Sequence, residues 1–122
     1  MSNEETRRKV MDDKQLASLG DAFVNFVYSL ALTNNSGKPQ GVKVSDRILA
    51  EAFRRSDLRK YLGTRVSRKD LANASESLLV KAYQRKLITI EESVKILSEN
   101  PDGLEAGLSE LMKLAAERIA PS

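Results

Sequence analysis

Apolar residues recur every three or four positions through most of this chain, and the stretches between them are short and rich in turn formers. From Asp12 or Asp13 to Leu32, the residues Leu16, Leu19, Phe23, Phe26, Val27 and Leu30 form the stripe of a core helix. Beyond Ala22 the opposite face is mostly apolar too, so other elements are expected to enclose this helix. Gly20 lies inside it at a cost of about 1 kcal/mol relative to Ala, which makes sense if another backbone comes close. Met1 to Val10 is polar and fits either a frayed helix or a flexible tail.

Asn34 to Gly41 is loop chemistry. Ser45 reads as the N-cap of a helix through Phe53, with Ile48, Leu49 and Ala52 inward. Ser56 reads as the cap of a shorter helix carrying Leu58, Tyr61 and Leu62 and ending at Gly63. Ser67 and Asp70 form a capping-box variant that opens a helix to about Leu87. Its core stripe is Leu71, Leu78, Leu79 and Ala82, and a neighbouring stripe holds Asn73, Glu76, Val80 and Tyr83. Thr89 with Glu92 opens a helix through Leu97. Asp102 with Glu105 is expected to cap a last helix in which Leu104, Leu108, Leu111, Leu114, Ala115 and Ile119 recur. No segment of useful length alternates with period two. The expectation is an all-α fold in one domain over residues 1–122, without internal repeats.

Composition narrows the chemistry. The 122 residues include no Cys and no His, which excludes thiolate chemistry, the usual zinc sites and imidazole catalysis. The apolar run from Ala22 to Leu32 is shorter than the roughly 20 residues that span a bilayer, so a soluble, cytoplasmic protein is expected. Charge is unevenly spread. Arg54, Arg55, Arg59, Lys60, Arg65, Arg68 and Lys69 face one acid, Asp57, within residues 54–69, a local net charge of +6. Residues 91–122 carry seven acids against three bases. Such asymmetry suggests an anionic partner; the alternative is a solvated helix face.

Asp21 follows Leu19-Gly20 at the mouth of the apolar run, and a carboxylate there needs a partner, a proton or a metal. Otherwise it is a polar residue at the surface end of its helix. Asn73 and Glu76 project together one turn apart, again beside apolar residues.

KQLASLGD (Lys14 to Asp21), and NASES (Asn73 to Ser77) followed by LLVKAY, resemble the two signature helices of the ribonuclease III family's catalytic domain. The family reads E-R-L-E-F-L-G-D and D-x-x-E-A at these places, and KVSDRILAEAFRRSDLRKYLG resembles its middle helices. The likeness runs from about Leu16 to Leu97 and is nearest to short archaeal members without a double-stranded-RNA-binding domain. It implies the ribonuclease III helical fold, a homodimer, and double-stranded or structured RNA as the partner. Asp21 and Glu76 match catalytic, metal-binding acids of the family. Asn73 replaces an aspartate, Ala17 replaces a glutamate, and Lys14 stands where the signature's first glutamate would be. Ser18 replaces the phenylalanine that packs into the partner subunit.

Formal charge over the four ligand positions thereby falls from −4 to −2, and a site for Mg²⁺ or Mn²⁺ is expected to be weak or absent. Lys14, two turns before Asp21, is a candidate to fill the vacated space with an ion pair. The implied function is a ribonuclease III-like RNA-processing protein that binds structured RNA with an incomplete magnesium site. The alternatives are an active Mg²⁺-dependent endoribonuclease and a protein-interaction module with a basic face. The seven basic residues of the middle segment are the candidate RNA contacts.

Overall fold

A computed structural model of the chain describes residues 2–121. It is all-α: α1 (Asn3–Met11), α2 (Lys14–Ser36), α3 (Asp46–Arg55), α4 (Arg68–Gln84), α5 (Ile90–Glu99) and α6 (Leu104–Ile119), with a 3-10 turn at Leu58–Tyr61. No strand occurs among the described residues.

Helix α4 is the centre of the fold. Leu71, Leu78, Leu79, Val80 and Ala82 are buried along it, and α2, α3, α6 and α1 all pack against it. Leu49 and Phe53 of α3, Leu97 of α5, and Leu108, Leu111 and Met112 of α6 complete the apolar core. The tightest approach joins α2 to α4. A Cβ added to Gly20 would collide with the Glu76 carbonyl and stand 2.8 Å from the Glu76 Cβ, so the glycine lets the two helices touch, as its position suggested. This contact brings Asp21, the next residue, beside Glu76.

Local chemistry explains most boundaries and corrects several expectations. Ser45 accepts from Ile48 N–H, and Ser67 with Asp70 forms both halves of a capping box. Thr89 accepts from Glu92 N–H, but the Glu92 carboxylate turns away to pair with Arg118 at 2.6 and 3.0 Å. Ser56 closes α3 and also meets the start of the 3-10 turn: its hydroxyl donates to Phe53 O and accepts from Leu58 N–H at 3.4 Å, while Asp57 takes the turn at φ 63°. Asp102 does not cap α6. Gly103 at φ 103° occupies that position without a side-chain cap, and Asp102 N–H donates to Asn100 Oδ1 at 2.8 Å. Helix α2 runs past Leu32 to Ser36 and stops at Gly37, φ 75°. Helix α4 ends at Gln84 rather than near Leu87, with Lys86 turning the chain at φ 61°.

The N-terminal stretch, open between tail and helix, is helix α1 capped by Ser2. Arg7 donates to Ala116 O and Ala120 O at 2.8 and 2.7 Å, satisfying carbonyls at the end of α6. Arg8 donates to Tyr61 O, and Val10 and Met11 are buried.

Two members of the α2 stripe are not core. Leu19 is 50% exposed and Phe26 54%, and Tyr83 of α4 is 40% exposed. Its ring lies 4.9 Å from that of buried Phe23. Taken as a whole helix rather than an unbroken apolar run, α2 is long and apolar enough to cross a membrane, but it packs here against α4 and α5.

Candidate functional site

Asp21 sits on a face of α2 that continues through Asn25, Ser29 and Thr33 at four-residue steps, one polar ladder up the helix. The chain leaving α2 doubles back along it. Gln40 N–H donates to Thr33 Oγ1 at 3.1 Å, Val42 N–H to Ser29 Oγ at 2.8 Å and Val44 N–H to Asn25 Oδ1 at 2.7 Å. Segment 40–44 thus satisfies its alternate backbone N–H groups on side chains of α2 without forming a strand. Its path carries Lys43 to the foot of the ladder. There the ammonium donates to both oxygens of Asp21, at 3.1 and 3.2 Å.

Asp21, Asn73 and Glu76 line one cleft of about 320 Å³, with Ala17 and Ser18 on its wall. The two carboxyl groups differ sharply. Lys43, with help from Asn25, holds Asp21 below the usual carboxylate range. Glu76 is only 4% exposed, and burial first, then the neighbouring Asp21 carboxylate, push it from an ordinary 4.5 up to about 8. At neutral pH Glu76 keeps its proton.

Lysines line the rest of the cleft: Lys14, Lys43 and Lys69. The cation on Asp21 is therefore Lys43. Lys14, the residue expected to fill that role, borders the cleft but pairs with no acid among the described residues. The reason is reach: seven residues along α2 amount to about 10 Å of rise, whereas the returning loop delivers Lys43 directly. Sequence reading missed Lys43. The available signal was the ladder of Asp21, Asn25, Ser29 and Thr33, which calls for a covering segment.

These residues do not fit a divalent cation. One carboxylate is engaged by an ammonium, the other is buried, Asn73 is neutral, and three lysines line the same cleft. Mg²⁺ needs ligand charge to offset its dehydration. Among the described residues no group of three acidic, His or Cys side chains is placed to hold a metal.

The seven basic candidates divide. Arg54 pairs with Glu51 at 3.2 Å, Lys60 with Asp57 at 3.0 Å and Lys69 with Asp46 at 3.6 Å. Arg59 donates to Gly63 O and Thr64 O and so braces its own loop. Arg55, Arg65 and Arg68 are exposed and make no side-chain hydrogen bond or ion pair among the described residues. Only Lys69 of the seven reaches the cleft.

A family model described as Ribonuclease III matches residues 14–119. That span runs from the first residue of α2 to the last of α6 and contains the whole cleft. Comparison with curated protein sequences gave no match.

Proposed function

Because the chain belongs to the ribonuclease III family, we propose that it is an RNA-processing protein that binds double-stranded or structured RNA without cutting it. The family typically uses Mg²⁺. The observation that carries the reading is Lys43, whose ammonium sits on both oxygens of Asp21 where a divalent ion would need that charge. Asn73 and Ala17 in place of acids point the same way. Asp21 and Glu76 hold the cleft together in this reading; neither serves as a catalytic or metal-binding acid.

RNA contact falls first to Arg55, Arg65 and Arg68, the cations that are free to meet phosphates, with Arg54 and Lys60 released from exposed pairs worth about 0–1 kcal/mol each. A-form RNA displays phosphates and 2′-hydroxyls to such a surface. The protein acts as a homodimer through the apolar face of Leu19, Phe26 and Tyr83, which takes over from the knob lost at Ser18.

Duplex-RNA binding measured over a range of salt in the presence of EDTA tests this. Affinity should fall steeply with salt, and the Arg55→Gln, Arg65→Gln, Arg68→Gln triple variant should bind at least about tenfold more weakly. Binding that requires a divalent ion, or that ignores the triple change, rejects the surface and the metal-free reading.

A further inference from the structure

Residues 40–44 lie against α2 much as one strand lies against another. Thr33 Oγ1 accepts from Gln40 N–H at 3.1 Å and donates to Gln40 O at 3.3 Å. Ser29 Oγ does the same for Val42, at 2.8 and 3.3 Å, and Asn25 Oδ1 accepts from Val44 N–H at 2.7 Å. In an antiparallel edge both backbone groups of one residue turn to the same side, and those of the next residue turn to the other. The spacing suits this register: four residues of helix rise about 6 Å, and two residues of extended chain advance about 6.6 Å. A hydroxyl can stand in for a neighbouring strand because it both donates and accepts.

The opposite edge has no such partner. The N–H groups of Gly41, Lys43 and Ser45 and the carbonyls of Gly41 and Lys43 make no hydrogen bond among the described residues, and all three residues are exposed. No atom lies within 4 Å of where a Cβ on Gly41 would stand, which leaves room for another backbone to approach. Pro39, lacking an N–H, bounds this edge on one side, and α3 bounds it on the other. An unpaired edge of this kind is a template for an added strand.

We propose that residues 41–45 are a docking edge for an extended, acidic segment of a partner protein, which adds to them as a strand. Backbone pairing supplies the binding in this mode. Charge selects the occupant. Lys43 is matched by Asp21 and Asp46 by Lys69, which leaves Lys38 and Arg47 as the unpaired charges beside the edge among the described residues, both of them positive. A second copy of this chain would bring the same two cations to the contact, whereas an acidic segment complements them. None of Arg55, Arg65 and Arg68 belongs to this edge, so the proposal stands apart from the RNA-binding reading.

The test titrates the full chain with a short blocked peptide that alternates valine and glutamate, following backbone amide shifts. Saturable shifts are expected at Gly41, Lys43 and Ser45, with slowed hydrogen exchange at the same amides. The peptide N-methylated at alternate residues keeps its charge but cannot pair, and should bind at least about tenfold more weakly. Gly41→Pro removes one outward donor while leaving the bonds of Gln40, Val42 and Val44 to α2, and should weaken the unmodified peptide likewise. Should that variant disturb the loop, the N-methylated peptide decides the matter on the unaltered chain. Absent shifts overturn the proposal, and so does binding indifferent to N-methylation, which would be charge attraction alone. A peptide alternating valine and lysine that binds as well as the acidic one overturns the acidic partner. Shifts at residues 41–45 that appear on concentrating the chain without peptide, and vanish in Gly41→Pro, overturn the partner protein and make a second copy the occupant.

Discussion

Asp21 stands at the mouth of an apolar helix because its polar neighbours up the helix, Asn25 and Ser29, are covered by returning backbone that also supplies its counterion. Glu76 is the opposite case, a carboxyl whose burial keeps it protonated. With its pKa raised to about 8 from 4.5, the folded state holds a proton that the unfolded chain releases above about pH 4.5. The stability this confers is complete below that pH, falls as pH rises from about 4.5 to about 8, and is gone above. Glu76→Gln should therefore flatten the decline and leave the protein more stable at pH 9 by on the order of 2 kcal/mol, as denaturant melts across pH would measure.

Restoring the acids makes a complementary prediction. The Ala17→Glu, Asn73→Asp, Lys43→Ala triple variant should bind Mn²⁺, seen as enhanced water relaxation, whereas the parent chain should give none. Asn73 and Glu76 were legible as a pair because helical period places them one turn apart on α4, and Asp21 joined them only through the resemblance of KQLASLGD to the family's signature helix. Lys43 was not, because its position depends on a loop path that no periodicity encodes.

At the scale of elements, helix caps were readable where a short side chain precedes an apolar stripe, as at Ser45, Ser67 and Thr89. They misled at Asp102, where Gly103 with positive φ takes the capping place, and held only in part at Ser56, whose hydroxyl accepts from Leu58 N–H but opens a single 3-10 turn. Gly20 is the element-level constraint on the site. Gly20→Ala would push α2 off α4 at Glu76 and should cost about 1–3 kcal/mol or more, measurable as a lowered denaturation midpoint. If the variant instead matches the parent chain in stability, the close packing of α2 on α4 is wrong. The α2 stripe was legible as apolar but not as to its destination: Leu19 and Phe26 keep the helical period of core residues while facing outward, because periodicity is blind to whether the covering surface lies in the same chain.

For the whole molecule, that outward face and the basic middle segment are two features a monomer leaves open. If the proposed dimer forms through this face, the parent chain should sediment as a dimer and Leu19→Glu with Phe26→Glu as a monomer with helical content intact; a monomeric parent, or an unchanged mass, rejects this face as a dimer contact. The net +6 of residues 54–69 was plain from composition, yet three of its cations pair with local acids and Arg59 braces a loop. Composition could not show which cations remain free, since that depends on where Glu51, Asp57 and Asp46 lie in the fold. The most direct measurement is incubation of the pure protein with long duplex RNA and Mg²⁺ or Mn²⁺, beside the Asp21→Ala, Glu76→Ala variant. With Lys43 on Asp21 the RNA should stay intact while remaining bound, whereas metal-dependent cutting that disappears in the variant would contradict Lys43 as the resident cation of this site.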